Sequence, residues 1–343
     1  MHLINVRNVH EALPVALNLL HSIGVRRESR AGDVILSPEP VTTLFQKPDE
    51  LCCFWPERDV NPFGTLFEGL WMLAGHDDVD YVARFIPRMR DFSDDGVTLH
   101  GAYGRRWRSN FGLDQLQEIA RNLKASPDCR RQLLTMWDPT LDLVDPGKDV
   151  PCNTIVHFQV NVYGYLDMTV FNRSNDIIWG AYGADAPHFG MLLQYVAKAA
   201  GREVGRYWQV SDNWHAYDAT LTDEVKGLRQ WARNPQYERL IAHSPYESGE
   251  VKAYPMFGSE GVEQWDADLR MFMDEEDRAM GYKSPFFKKV AVPMIQAHNE
   301  FKQNDGEQKY IEAARAIKNI RADDWRVMCE GWIQRRWEKF LAA

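Results

Sequence analysis

The sequence predicts an α+β fold in which a β-sheet is flanked by helices and followed by a helical C-terminal extension. Three observations point to it. Apolar residues recur at every second position on both sides of Tyr163-Gly164, as a β-hairpin requires. Residues 10–24, 63–74 and 187–199 carry apolar stripes at helical spacing. Past residue 220 the chain becomes charged and helix-like.

Size and composition bound the class. A chain of 343 residues can bury roughly three quarters of its unfolded surface, as one large domain or two small ones. Its 45% hydrophobic and 26% charged residues describe a soluble globular protein. No apolar run approaches the roughly 20 residues that span a membrane. The N-terminus lacks a basic stretch followed by an apolar core, so the expected location is cytoplasmic. Cys52, Cys53, Cys129, Cys152 and Cys329 are an odd number with no Cys-x-x-Cys pair, which argues against a disulfide framework and against a zinc site; no metal is expected. A net charge of -9 disfavours wrapping a nucleic acid backbone, yet a local arginine cluster could still hold a small anion.

In chain order, Ala12, Ala16, Leu19, Leu20 and Ile23 place a packing helix over 10–24, with Gly24 as its stop. Arg30-Ala31-Gly32-Asp33 is a short polar loop. Phe63, Leu66, Phe67, Leu70, Trp71 and Leu73 form one broad buried stripe, and Glu68 lies on the turn between two of them. Residues 84–108 read as a loop running into Tyr103-Gly104-Arg105-Arg106-Trp107. A helix is expected over 113–124, then a basic loop over 127–131 and a strand over 132–137. The hairpin opens at Val150-Pro151-Cys152-Asn153-Thr154. Phe158, Val160 and Val162 face one way, and His157, Gln159 and Asn161 the other. Leu166, Met168 and Val170 then alternate back toward Asn172-Arg173-Ser174-Asn175-Asp176. Asp185-Ala186-Pro187 can open a helix with Pro187 in its first turn. Residues 205–217 resume a strand and loop. Helices are expected over 221–241, 262–279, 306–320 and 322–341. The division is a core of residues 1–220 and a divergent, mostly helical part, 221–343, packed on it.

Antiparallel pairing of the hairpin makes the start of its first strand the neighbour of the end of its second, which sets Cys152 beside Arg173. A thiol attacks well only as thiolate, and a cationic neighbour favours that form. Taken singly, a cysteine after proline is ordinarily a small buried hydrophobe, and an Arg-Ser pair at a strand end a solvated edge.

The order of the parts changes that weighting. Glu68 in Phe-Glu-Gly-Leu-Trp-Met-Leu-Ala-Gly, Tyr103-Gly-x-x-Trp107-Arg108, Asp128-Cys-Arg130-Arg131 before Trp137, Pro151-Cys152, Arg173-Ser174-x-Asp176, Gly180 and Asp212-x-x-His215-x-Tyr217 together resemble the thymidylate synthase family, from roughly residue 28 to 220. The resemblance implies that family's fold, with a mixed sheet, and 5,10-methylenetetrahydrofolate as one-carbon donor. It implies Cys152 as nucleophile toward ring carbon 6, activated by Arg173 and tuned by Asn153, which stands where most thymidylate synthases have histidine. Glu68 would order water and relay protons, and Tyr103 would help remove the proton of ring carbon 5. Arg30, with Arg27 as the alternative, would reach the phosphate, and Arg173, Ser174 and Asn172 would bind the substrate. His215 and Tyr217 would hold the sugar hydroxyl, and Asp176 and Gly180 would contact the folate. Arg130 and Arg131 would cross to a partner's phosphate in an obligate homodimer. Met89 and Phe92 occupy positions that hold tryptophans in thymidylate synthases.

The residue that reads the base is asparagine in thymidylate synthases. Counted forward from Gly180 its place falls on Ala184, and counted back from His215 on Asp185. One inserted residue within 181–184 reconciles the counts. Alanine cannot read a base, so the choice is Asp185, with an N-cap role for the helix that follows as the alternative. An aspartate suits cytosine, since it accepts from the exocyclic amine and, when protonated, donates to the ring nitrogen. The expectation is therefore a deoxycytidylate hydroxymethylase: Cys152 adds to the ring, carbon 5 takes the methylene, and water ordered by Glu68 gives 5-hydroxymethyl-dCMP. Rivals are a dCMP methyltransferase, a CMP hydroxymethylase, a thymidylate synthase using dUMP, and a non-catalytic nucleotide- or RNA-binding regulator, which would have no need of Cys152, Glu68 and Tyr103 together.

Overall fold

The computed structural model describes residues 1–29, 32–144, 147–232, 244–276 and 280–343. These form a sheet of eight strands: β1 (His2–Val6), β2 (Val25–Arg27), β3 (Val34–Leu36), β4 (Val41–Phe45), β5 (Leu133–Thr135), β6 (Asn153–Val160), β7 (Leu166–Asp176) and β8 (Val204–Tyr217). The path runs β1-β4-β8-β7-β6-β5, with β3 paired to β8 and β2 to β3. The β1–β4 and β7–β8 pairs are parallel and the others antiparallel, so the sheet is mixed.

The hairpin β6–β7 follows the alternation that predicts it. Val156, Phe158, Leu166, Met168 and Val170 are wholly buried on one face, while Gln159 and Phe171 point outward. Val162 departs from the reading: β6 stops at Val160, and Val162 stands 94% exposed in the turn. Strand β8 runs unbroken to Tyr217, so His215 and Tyr217 sit on a strand and not a loop.

Helices α1 (Val9–Ile23), α2 (Pro62–Ala74) and α3 (Gln115–Ala125) begin at Asn8, Asn61 and Asp114, whose side chains accept from the first free N–H groups. The stripe of α2 becomes the centre of the molecule, with Phe63, Leu66, Phe67 and Leu70 fully buried. Helix α4 (Ala186–Ala200) begins differently. Ile177–Asp185 is a π-helix that runs straight into it, and its N-terminus is capped by Asp176, which accepts from Ile178 N at 3.0 Å and Trp179 N at 3.4 Å. Asp185 is therefore already helical (φ -63, ψ -48) and its side chain caps nothing, which removes the N-cap alternative. The wider i→i+5 turn also suits Pro187, whose ring would collide with the carbonyl four residues back in a regular helix. The same pairing recurs where π-helix Phe287–Ala291 precedes Pro293.

The C-terminal part consists of α5 (Val262–Asp274), α6 (Val292–Gln303), α7 (Gln308–Ile317) and α8 (Asp323–Leu341), with short helical turns between. Phe272 of α5 stacks on Phe67 at 5.9 Å, and Trp332 of α8 meets Phe63 edge-on at 5.5 Å, so this part closes over the outer side of α2. Several expected spans shorten. The helix over 221–241 is reduced to Asp223–Gly227 and the 3-10 turn Leu228–Trp231, with 233–243 outside the described residues, and the one over 262–279 ends at Asp274. Residues 84–108 hold the 3-10 turn Pro87–Phe92 and the helix Tyr103–Arg108, each too short to leave a period in the sequence.

Candidate active site

Where the first strand of the hairpin starts, Asn153 pairs with Asn172, and Arg173 N–H donates to the Cys152 carbonyl at 3.0 Å. The Arg173 guanidinium turns back on the segment before the cysteine, donating from Nε to the Pro151 carbonyl at 2.8 Å and from Nη2 to the Val150 carbonyl at 3.0 Å. It fixes the approach to Cys152 as well as supplying charge. That charge does not make a resting thiolate. Burial pushes the Cys152 thiol up to about 11, assisted by Asp185, Asp149 and Asp176 and opposed by Arg173. Desolvation thus outweighs the one guanidinium and disfavours the thiolate before a substrate is bound.

Tyr103, the first residue of its helix, accepts at its hydroxyl from the N–H of Cys152 and of Asn153, both at 3.1 Å, and meets Asn153 Nδ2 at 2.9 Å. Asn153 Nδ2 also donates to Asp185 Oδ1 at 3.1 Å, and Asn172 Nδ2 bonds Asn153 Oδ1 and lies 3.5 Å from Asp185 Oδ2. One hydrogen-bonded chain thus joins Tyr103, Asn153, Asn172 and Asp185 beside Cys152, with Asn153, Asn172 and Asp185 all buried. Burial raises the Asp185 carboxyl to about 6, while the Asn153 amide holds it down. Asp185 lies close to Gly180, where a Cβ would stand 2.6 Å from Asn175 Oδ1 and 3.7 Å from Asp185 Oδ2; only a residue without a side chain fits.

Glu68, on the edge of α2, is pushed up to about 8 by burial, then by the fields of Asp185 and Asp149. It lines a cavity of about 630 Å³ together with His188, Arg58, Arg88, Trp179 and, from α8, Arg336. Trp179 is held by two cations, with the Arg88 guanidinium 4.6 Å and that of Arg58 5.2 Å from its ring centre. Arg58 donates to the Ile178 carbonyl through Nε at 3.1 Å and Nη2 at 2.7 Å. Its neighbour Asp59 holds a left-handed backbone (φ 47) and takes Arg335 Nε at 2.9 Å and Arg336 Nη1 at 3.0 Å from α8.

The remaining expected residues are scattered more widely. Ser174 and Asp176 stand on β7 in register with Asn213 and His215 of β8. His215 is buried, with its ring edge-on to Tyr217 at 5.2 Å. Arg130 and Arg131 are exposed in the loop before β5, and Arg27 is exposed on β2. Arg30 lies outside the described residues. All five cysteines are free. Among the described residues no helix is long and apolar enough to cross a membrane. Sequence reasoning missed His188, Trp179, Arg58 and Arg336. Only His188 left a signal, three residues after Asp185 and so on the same helical face.

A half-buried cysteine and tyrosine, a carboxyl and amides joined in one hydrogen-bonded chain, and a second, arginine-rich cavity lined by Glu68 suit a two-substrate transferase that works on a small heterocycle. The chain belongs to the thymidylate synthase family, whose profile it matches over residues 20–250. It is 49% identical over 342 residues, 100% of this chain and 96% of the relative, to a deoxyuridylate hydroxymethyltransferase of Pseudomonas phage M6. It is 36% identical over 210 residues, 57% of this chain and 55% of the relative, to a deoxyuridylate hydroxymethyltransferase of Bacillus phage SP01. A putative thymidylate synthase of Methanothermobacter thermautotrophicus is 36% identical over 129 residues, 38% of this chain and 56% of the relative. The protein is a folate-dependent one-carbon transferase acting on carbon 5 of a pyrimidine nucleotide, with 5,10-methylenetetrahydrofolate as donor. The 630 Å³ cavity fits such a donor, since Trp179 offers a flat wall and Arg58, half-buried and with no carboxylate on its guanidinium among the described residues, offers a cation to an acidic tail.

Proposed function

We propose that the protein is a hydroxymethyltransferase for a 2′-deoxypyrimidine monophosphate, with deoxyuridylate as its substrate. The whole-length relative of that name supports the product and the base. The observation that carries the reading on the protein side is the buried position of Asp185 in the amide network beside Cys152, where burial pushes its carboxyl up to about 6. A neutral carboxyl presents one O–H donor and one carbonyl acceptor, the same pair as the asparagine amide that reads uracil. Only an ionised carboxylate would face the uracil carbonyl with like charge and repel it. A group raised to about 6, and raised further once a base displaces water, reaches the neutral form readily. Cytosine is the second reading, because the same neutral acid donates to its ring nitrogen and accepts from its amine.

In this reading Cys152 adds to ring carbon 6 and Arg173 steadies the sulfur as it gains charge. Asp185, Asn153 and Asn172 hold the base, while Tyr103 takes part in removing the carbon 5 proton. The donor, when bound, supplies the methylene. Ser174, Arg173, Arg30 or Arg27, and a partner subunit's Arg130 and Arg131 would hold the phosphate of the nucleotide in a homodimer. His215 and Tyr217 would hold the sugar; Asp176, Gly180 and the Arg58–Trp179 wall would hold the donor. Residues 221–343 form part of the catalytic unit.

The test is product mass after incubation with dUMP or dCMP and the donor, for the wild type and Asp185→Asn. Deoxyuridylate as substrate predicts 5-hydroxymethyl-dUMP, retained within about tenfold in Asp185→Asn, and loss of the wild type's decline in nucleotide affinity as pH rises through about 6 and above. Exclusive turnover of dCMP, abolished by Asp185→Asn, would establish the second reading. Methyl product with dihydrofolate would reject hydroxymethyl transfer.

A further inference from the structure

On the boundary between the two halves of the site lies a histidine with no part in the steps above. His188 is in the first turn of α4, 4% exposed, and lines the donor cavity beside Glu68. Its Nε2 is 3.0 Å from the Thr65 carbonyl and 3.9 Å from Glu68 Oε2. A carbonyl only accepts, so Nε2 carries the proton and Nδ1 is left as a lone-pair acceptor. The approach is built in: at Gly69, next to Glu68, a Cβ would stand 3.3 Å from His188 Cδ2 and 2.5 Å from Met191 Sδ. A side chain there would press the imidazole off Glu68.

We propose that His188 holds the attacking water, through Nδ1 and opposite Glu68, and so directs the Cys152-bound exocyclic methylene toward hydroxymethyl product. The inference rests on the hydroxymethyl-transfer reading. The water oxygen bonds to the methylene carbon while the exocyclic π pair moves into the ring. Return of that pair forms the carbon 5–carbon 6 double bond and expels the sulfur as thiolate. The proton lost by water passes by way of the Glu68 carboxyl to the thiolate while His188 only holds the water, so no oxidant or reductant is consumed.

Two substitutions separate this role from a structural one. Glutamine places its amide nitrogen near the position of Nε2 and keeps the bond to Thr65, but has no acceptor at Nδ1. Asparagine places its amide oxygen near Nδ1 and gives up the Thr65 bond. His188→Gln is expected to lower 5-hydroxymethyl nucleotide formation about 100-fold while tritium release from ring carbon 5 stays within about threefold. A nucleotide–methylene adduct on Cys152 should then accumulate in the mass of the denatured protein. His188→Asn should retain product formation within about tenfold of the wild type. Equal losses of tritium release and product, absence of the adduct, or glutamine outperforming asparagine would overturn the proposal. Should the glutamine variant fail to fold by circular dichroism, His188→Leu provides the same ratio. A wild type that makes the methyl nucleotide overturns the functional reading itself, an outcome visible before any variant is made.

Discussion

The two halves of the site are built in opposite ways. The proposed nucleotide side is local: Cys152, Asn153, Asn172 and Arg173 lie on one hairpin, and Asp185 follows within a single helical segment. The proposed donor side is assembled from distant pieces, with Arg58 and Asp59 from the loop before α2, Arg88 from a 3-10 turn, Trp179 from the π-helix and Arg336 from α8. The nucleotide side is a closed hydrogen-bond network of neutral amides, a tyrosine and one carboxyl. The donor wall is cationic and held by ion pairs and ring stacking. A pre-organised network of that kind suits covalent chemistry, where small displacements are costly, and a charged wall suits a ligand that must enter and leave.

That contrast can be broken most sharply at Cys152. Cys152→Ser should abolish tritium release and product formation by about 10⁴-fold or more while thermal unfolding shifts by no more than about 1 kcal/mol. A large loss of stability would mean that the nucleotide side is structural first. Next in size, Arg58→Ala or Trp179→Ala should raise KM for the donor about 30-fold and leave the equilibrium affinity for nucleotide, measured without donor, within about twofold. Parallel losses for both ligands would show that the halves are not separable.

At their junction the comparison is read from stability against pH. Glu68 is raised from the usual carboxylate range to about 8, so the folded chain holds its proton more tightly than the unfolded one. Stability present at low pH is therefore lost as pH climbs from the unfolded value toward about 8. Glu68→Gln removes that loss and should raise stability at pH 8 by about 2 kcal/mol, with little gain at pH 4, while product formation collapses. Thermal unfolding of the two proteins across that pH range provides the measurement, and identical profiles would mean that Glu68 is not buried as described.

The same contrast explains what the sequence reveals. The hairpin, the α2 stripe and the Asp114-capped helix follow from periodicity, and the nucleotide residues follow from motif order because they ride on those elements. Strands β1 to β4 are only three to five residues long, too short to leave a period. The donor wall was invisible because nothing local marks Arg336 as a partner of Asp59, 277 residues away. His188 was passed over since a histidine within an apolar stripe looks like one more core residue. At Cys152 sequence adjacency reports the nearby cation, whereas the desolvation that pushes its thiol up shows only in the fold.

One consequence of the π-helix concerns how recognition is encoded. Ile177–Asp185 gains a residue per turn over a regular helix, and the two counts that disagreed about the base reader differ by that single residue. Each residue of an α-helix is rotated by about 100° from the one before it. Removing one residue from 181–184 would therefore swing a different side chain toward the base without any substitution at Asp185. Which base the pocket welcomes is written partly in chain length, so a deletion could change the enzyme's diet as surely as a point mutation.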